Sequence, residues 1–278
     1  MITNVTLGGF QLTTNQILLQ GIQNASFPET VYTRSKRGGY QGNKMPTPSF
    51  ASYQFVLQFQ IVGLSFADLN LQRTNFFQIL GYIHSAGSQT LILTRSDGKQ
   101  FQIDIRAIQV TGDYSTDDSN SCIAQVTLLA EYPFLQSAVL QSQDVLIFNG
   151  GGMSVPMGVP LNLSNGQSTA ITLTNNGNYA AFPVFTFIGK LTNPTITDNA
   201  TGQTLSINYS LADNTQSLIV DCYQRTAILQ PSGNIARQYI TGTFWTVPIG
   251  PSTVTLGNSN NTDGGKCTVT FRDTYLNV

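Results

Sequence analysis

Charge is scarce in this sequence. Lys, Arg, Asp and Glu make up 10% of the 278 residues and the formal net charge is -1, whereas about 25% charged residues are usual in globular domains. Gripping the phosphates of a nucleic acid needs an excess of Lys and Arg on one face, so we expect no specific nucleic-acid binding. The surface must consist largely of Asn, Gln, Ser and Thr, which lose less hydration than charged groups when another subunit covers them.

Histidine and cysteine are also rare. His84 is the only histidine, so one chain cannot supply several histidines to a metal, and a Ser/His/Asp triad would have to use this residue. Cys122, Cys222 and Cys267 are far apart and have no CxxC spacing. An odd, sparse set of cysteines does not suggest a disulfide framework, and we predict buried free thiols.

No motif indicates an enzyme. The glycine run at 150–152 is not followed by the Lys-Ser/Thr of a phosphate-binding loop. We therefore expect no enzymatic activity, no metal and no cofactor. No spacing singles out a catalytic pair among the acidic candidates, which are Glu131, Asp144, Asp213 and Asp221.

Long apolar runs are missing as well. No segment has the roughly 18 consecutive apolar residues that a membrane-spanning helix needs. The first ten residues, MITNVTLGGF, have neither the basic start nor the apolar core of a signal peptide. We expect synthesis in a cytoplasm and no membrane insertion.

Alternating apolar and polar residues dominate the first half. Residues 50–62 place Phe, Leu, Phe and Ile on one side and glutamines on the other, which predicts a long half-buried strand. Residues 99–110 repeat the pattern and predict a second strand. The Ser-Asp-Gly at 96–98 predicts a tight turn, so that 90–110 forms a hairpin.

One segment, near residues 67–83, has the period of a helix. Ser65 and Asp68 resemble a capping box at its start, and Gly87 follows its end. The predicted buried stripe has the spacing i, i+7, i+11, i+14 and consists of Leu69, Phe76, Leu80 and Ile83.

The pattern changes at residues 133–150, where Pro133 and a glycine run interrupt the strands. After residue 150, short apolar segments alternate with turn signals such as TNNGN, DNATG and PSGN, which is typical of an all-β sandwich. In NNGNYAAFPVFTFIG, we predict a turn at 175–178 and a strand that begins after Pro183, where the missing N–H costs little. We predict two domains, 1–140 and 145–278.

The order of these motifs carries a resemblance. NNGNYAAFPVFTFIGKLTNPTITDNATGQTL, LIVDCYQRTAIL, GTFWTVPIGPSTVTL and KCTVTFRDTYL follow one another in the second half. RGGYQGN, the long strand, the helix and AEYPF at 130–134 precede them. Together they resemble the distal tail proteins of bacteriophages with long, flexible, non-contractile tails.

The resemblance implies a mainly β fold and a structural role in the virion tail tip. The N-terminal domain, β-rich with one helix, would form a hexameric ring around a channel for DNA. The second domain would be a galectin-like β-sandwich that holds baseplate or receptor-binding proteins. The ring would join the tail tube protein to the tail-tip protein below it, although another minor tail protein of the same tip stays an alternative.

Two charged segments are candidate contact sites between subunits. The basic run at 32–43 contains Arg34, Lys36 and Arg37, which would meet acidic groups of the next subunit, while Gly38 and Gly39 let the backbones approach. An exposed hairpin loop is the alternative. In the acidic loop at 110–121, the side chains predicted to face the channel or a neighbouring subunit are Asp113, Asp117 and Asp118.

A carbohydrate-binding module is the alternative function. Tyr179 or Trp245 would then stack on a sugar ring. Trp245 lies in the alternating segment GTFWTV, where core packing is the competing interpretation. A buried Trp245 would favour the scaffold.

Overall fold

The structure, a computed structural model, divides the chain into two compact units. Unit 1 comprises Met1–Ala138 and Tyr275–Val278, and unit 2 comprises Val139–Thr274. The two domains predicted from the sequence were residues 1–140 and residues 145–278. The structure describes residues 1–23, 30–31, 35–36, 43–44, 49–112, 120–147, 170–260 and 264–276.

Unit 1 is built mainly from antiparallel strands around one helix. Its two large sheets have the strand orders β2-β1-β9-β10-β13-β27 and β11-β12-β8-β3, and two short pairs, β4-β7 and β5-β6, accompany them. The elements are β1 Ile2–Leu7, β2 Phe10–Gln11, β3 Ile17–Gln23, β4 Thr30–Val31, β5 Ser35–Lys36, β6 Asn43–Lys44, β7 Ser49–Phe50, β8 Tyr53–Val62, α1 Phe66–Ser85, β9 Gln89–Arg95, β10 Gln100–Ile105, β11 Ala107–Gly112, β12 Ser121–Ala130 and β13 Leu135–Ser137; β27 is Thr274–Tyr275.

The core of unit 1 confirms the predicted long strand and helix. Alternate residues of β8, from Tyr53 to Ile61, are buried, and the residues between them are not. The predicted stripe of α1 is buried against them, with the rings of Phe59 and Phe76 5.3 Å apart. The helix runs two residues further than predicted at its C-terminal end.

The start of α1 is fixed by its capping box. The Ser65 side chain accepts a hydrogen bond from the Asp68 N–H at 3.2 Å. The Asp68 carboxylate accepts from the Leu64 N–H at 2.8 Å and from the Gln16 side chain at 2.7 Å. The cap therefore also ties the helix to the segment before β3.

The predicted hairpin is confirmed only as far as Ile105. β9 and β10 pair with Thr94 opposite Gln100, and Gly98 in the turn has a φ of 81°. The prediction of one strand over 99–110 is wrong, because β11 leaves this sheet and pairs with β12. The change occurs at Arg106, whose N–H donates to Leu129 O and whose side chain pairs with Glu131.

Unit 2 consists of two facing sheets. Their strand orders are β14-β26-β16-β21-β22-β23 and β15-β25-β18-β19-β24, and β17 pairs with β20. The strands are β14 Gln141–Leu146, β15 Ile171–Asn175, β16 Val184–Gly189, β17 Leu191–Thr192, β18 Thr195–Asp198, β19 Gln203–Ile207, β20 Ser210–Leu211, β21 Ser217–Asp221, β22 Thr226–Gln230, β23 Asn234–Ile235, β24 Ile240–Gly242, β25 Gly250–Gly257 and β26 Gly265–Phe271.

One apolar core joins both sheets of unit 2. Phe185 and Val220 from the first sheet and Ile196 and Val254 from the second belong to the same buried cluster, so unit 2 is a β-sandwich. Within residues 170–260 and 264–276, the only helical element is the single turn Arg237–Tyr239. The prediction of a mainly β fold with one α-helix is confirmed for the described part of the chain.

A buried asparagine organises the turn before Pro183. The Asn175 side chain donates to Tyr179 O at 2.8 Å and to Val247 O at 3.2 Å, and it accepts from the Gly177 N–H at 3.0 Å. Because all three bonds go to the backbone, the side chain replaces a strand partner at this point. β16 then begins directly after Pro183, as predicted.

Candidate assembly surfaces

Five large apolar side chains on and beside α1 are exposed. We call this set the α1 patch, and it consists of Phe10, Leu64, Phe66, Leu71 and Tyr82. Leu64 is 90% exposed and Tyr82 is 63% exposed. Phe10 meets Tyr82 edge to face, with ring centroids 5.5 Å apart. Phe10 and Tyr82 thus form one contiguous exposed aromatic surface, and such surfaces mark a contact site more often than single exposed residues do.

None of the fully exposed positions of α1 is Asp, Glu, Lys or Arg, because Asp68 and Arg73 are half-buried. Leu71 and Tyr82 are separated by three turns and therefore lie on one side of the helix, away from the buried stripe. The exposed positions are filled by Phe66, Ala67, Leu71, Thr74, Asn75, Gln78, Gly81, Tyr82, His84 and Ser85. Covering these groups requires no desolvation of Asp, Glu, Lys or Arg.

The α1 patch was not among the contact sites predicted from the sequence. The sequence does contain a signal for this surface, because Leu71 and Tyr82 are both apolar and both lie on the side of the helix opposite the buried stripe. The stripe itself dominated the periodicity, so these two positions were not singled out.

The basic run lies largely outside the described residues. This is the case for Arg34, Arg37, Gly38 and Gly39, and only the backbone of Lys36 is described. Lys36 is part of β5, which pairs with β6 through Lys36 opposite Asn43. The role of these residues between subunits stays a prediction.

The acidic loop also falls outside the described residues, which end at Gly112 and resume at Asn120. Asp113, Asp117 and Asp118 are therefore not placed. The strands on either side are paired, with Gly112 opposite Ala124, so the segment connects two neighbouring strands of one sheet.

Trp245 lies in the core and not at a binding surface. It is 1% exposed, its ring centroid is 4.8 Å from that of Phe185, and its indole N–H donates to Ile196 O at 3.3 Å. The hypothesis that Trp245 stacks on a sugar is wrong, because neither face of the ring is open.

Tyr179 is partly buried beside the Asn175 turn. Its N–H donates to Thr274 O at 3.1 Å, and burial raises the pKa of its phenol. It lies near the chain segment that the Asn175 side chain holds in place, so its backbone has a structural role.

The acidic residues considered for catalysis have structural partners. Asp221 accepts from the N–H groups of Tyr223 and Gln224 at 2.8 and 2.9 Å and so begins a turn, as predicted. Asp144 accepts from Lys266 at 2.7 Å, which lowers the pKa of that carboxyl group. Among the described residues there is no group of three His, Cys, Asp or Glu side chains able to hold a metal ion. No described helix is long and apolar enough to cross a membrane.

The strands of unit 2 from β16 onwards lie in a segment whose sequence matches a known protein family. Residues 176–275 match the model of the siphovirus-type tail component, C-terminal domain. This part of unit 2 is therefore similar to the C-terminal domain of siphovirus-type tail components. The resemblance to distal tail proteins is thereby confirmed.

Solved structures extend the similarity in fold to the whole chain. The Dit protein of phage SPP1, described as a paradigm of the hub adsorption apparatus in phages that infect Gram-positive bacteria, is 13% identical, with a TM-score of 0.63 and 99% of each chain covered. Two structures of the activated phage P2 baseplate, with Ca and with Sr, are each 9% identical over 97% of this chain and 98% of theirs, with TM-scores of 0.46 and 0.42. No curated protein sequence matches the chain.

Proposed function

We propose that this protein is the distal tail protein of a phage with a long non-contractile tail and that it has no enzymatic activity. It would form a ring that joins the tail tube to the tail tip and carries host-attachment proteins. The observation that carries the proposal is the coincidence of two matches: unit 2 matches the tail-component family, and the fold of the tail-tip hub protein extends over 99% of the chain.

The α1 patch is suited to contact between subunits in such a ring. Its side chains are large and apolar, and the exposed positions of α1 carry no formal charge. An interface core of this composition releases water from apolar surface without removing charges from water. We assign one side of the ring contact to this patch.

The two charged segments supply a complementary pair of surfaces. A closed ring of identical subunits is built from head-to-tail contacts, in which two different surfaces of each copy meet. Arg34, Lys36 and Arg37 carry one sign and Asp113, Asp117 and Asp118 carry the other. We propose that the basic run of one subunit meets the acidic loop of the next.

The mass of the purified chain tests the ring. Light scattering should give a particle near six times the 30.2 kDa of one chain, and negative-stain images should show closed rings. A chain that stays monomeric both alone and with the tail tube protein would contradict the ring. Closed rings that bind neither tube protein nor tail-tip protein would indicate another minor tail protein.

Substitutions separate the proposed contacts. Leu71→Asp should break the ring, because it buries an unpaired charge, whereas Ile235→Asp, at a 73% exposed position of unit 2, should leave it intact. Arg34→Glu with Arg37→Glu should weaken the ring, and adding Asp117→Lys and Asp118→Lys should restore it. If neither Leu71→Asp nor the Arg34→Glu and Arg37→Glu reversal changes the rings, neither the α1 patch nor the charged segments form the contact.

A further inference from the structure

Unit 2 contains an open surface cavity of about 440 Å³ at one edge of its six-stranded sheet, and most of its lining side chains are exposed. We propose that this cavity binds a neutral saccharide. Its volume lies within the range of roughly 300–1,000 Å³ that is common for small-molecule sites. Its lining includes Tyr209, Gln216, Gln230, Pro231, Ser232 and Asn234.

Regular pairing places these residues together although they are separated in the sequence. Gln230 ends β22 and lies next to Ser217, the first residue of β21, so that Gln216 is brought to the same edge. Asn234 begins β23 opposite Leu229. The turn between β22 and β23 closes through the Gly233 N–H, which donates to Leu229 O at 2.8 Å. Gln230 and Asn234 are therefore held by strands, which position a site more accurately than loops do, whereas Gln216 directly precedes a strand and Pro231 and Ser232 lie in the turn.

The lining selects against charged ligands. None of the lining residues is Asp, Glu, Lys, Arg or His. A phosphate, carboxylate or ammonium group would lose its hydration without gaining an opposite charge. A neutral ligand with many hydroxyl groups meets a smaller cost, because each hydroxyl can regain a hydrogen bond from the lining amides.

The polar groups of the lining have capacity for new hydrogen bonds. Across the described parts of the chain, the side-chain amides of Gln216, Gln230 and Asn234 make no hydrogen bond to protein. Each amide offers two N–H donors and one carbonyl acceptor. Sugar hydroxyls both donate and accept, so neighbouring amides match them in either orientation.

Tyr209 supplies an aromatic surface beside these amides. The ring is partly buried and packs on Tyr239, with centroids 5.1 Å apart and an angle of 43° between the rings. This contact restricts the orientation of Tyr209 before any ligand arrives, which lowers the entropic cost of binding. A rigid ring next to hydrogen-bonding amides suits the apolar face and polar rim of a pyranose.

Saturation-transfer NMR of the full chain with maltose, lactose and N,N′-diacetylchitobiose tests this site. We expect transfer to at least one disaccharide at millimolar concentration. Tyr209→Ala should weaken the affinity about tenfold, whereas Tyr209→Phe, which keeps the ring, should retain most of it. Tyr223→Ala, at an exposed tyrosine of the same unit, should bind as the unsubstituted chain does.

A second pair of variants removes amides without affecting the core. Gln216→Ala with Asn234→Ala should weaken binding, whereas Gln203→Ala, at an exposed glutamine of the other sheet, should not. Absence of transfer to all three disaccharides would overturn the proposal, and so would binding that none of the cavity substitutions changes. Equal binding of glucuronic acid would overturn the preference for a neutral ligand.

Discussion

The Ser252 hydroxyl donates a hydrogen bond to the carboxylate of Asp198, and both side chains are inside the sandwich of unit 2. Asp198 ends β18 and Ser252 lies on the neighbouring strand β25. The same carboxylate accepts from the Ala200 N–H at 3.1 Å and from the Thr201 hydroxyl at 2.6 Å. One buried acidic residue thus joins a strand end, the following turn and the adjacent strand.

Replacing Asp198 should destabilise unit 2. Asp198→Ala leaves three donors without their acceptor and should lower the free energy of unfolding by about 3 kcal/mol, and Ser252→Ala should cost about 1 kcal/mol. Denaturant unfolding followed by the fluorescence of Trp245 measures this directly, because Trp245 is the only tryptophan and is buried in unit 2.

Asp213→Ala is the matched control. Asp213 also accepts two hydrogen bonds, both from Thr215, but it is exposed, so water replaces what the substitution removes. Its effect should be much smaller than that of Asp198→Ala. Equal effects would show that burial of the Asp198 bonds is not what stabilises the turn.

Local pattern was enough for the elements that repeat with a fixed period. β8 was predicted because its apolar residues recur at every second position, and α1 because its apolar residues recur with the period of a helix. The structure buries these same residues. Turn chemistry was enough for Asp221 and for the strand start after Pro183. In each case the residues that decide the structure are close together in the sequence.

Features that depend on distant partners could not be predicted. The departure of β11 from the hairpin depends on β12, more than ten residues further along, and not on any break in the apolar pattern of 99–110. The saccharide cavity combines Tyr209, Gln216, Gln230 and Asn234 only because β21, β22 and β23 are neighbours. Trp245 was offered for stacking because sequence alone does not say which face of its segment is inside.

Gly177 should tolerate no side chain. A Cβ at this position would collide with the backbone oxygen of Thr274, and Gly177 is not among the glycines with a positive φ, so the requirement is steric. Gly177→Ala should cost more than about 3 kcal/mol of the free energy of unfolding. By contrast, Gly81→Ala in α1 meets nothing within 4 Å and should stabilise its helix by about 1 kcal/mol. Thermal melting of both variants checks the pair, and a neutral Gly177→Ala would contradict the close approach.

The thiols should be unreactive until the chain unfolds. Cys122, Cys222 and Cys267 form no disulfide and are all buried, as predicted. Burial, with a smaller contribution from the Asp221 charge, raises the pKa of Cys222, and burial likewise raises that of Cys267. A thiol reagent at mildly alkaline pH should therefore label none of the three in the native chain and all three in denaturant. Rapid labelling of the native protein would contradict the packing of these cores.

The cap of α1 should make the stability of unit 1 sensitive to acid. Hydrogen bonds from the Leu64 N–H and from the side chains of Gln72 and Gln16 lower the pKa of the Asp68 carboxyl group below its ordinary value of 3.8. A lowered pKa in the folded state means that the stabilisation is present above the ordinary pKa value and is lost as the pH falls through the pKa of the folded state.

The variant Asp68→Asn removes this titration. In urea titrations followed by circular dichroism at 222 nm, the unsubstituted chain should lose stability relative to Asp68→Asn as the solution is acidified. Adding Asn70→Asp, one half-turn further along, to the Asp68→Asn variant should not restore this loss. Parallel curves for the unsubstituted chain and Asp68→Asn would show that the charge of Asp68 does not stabilise the start of the helix.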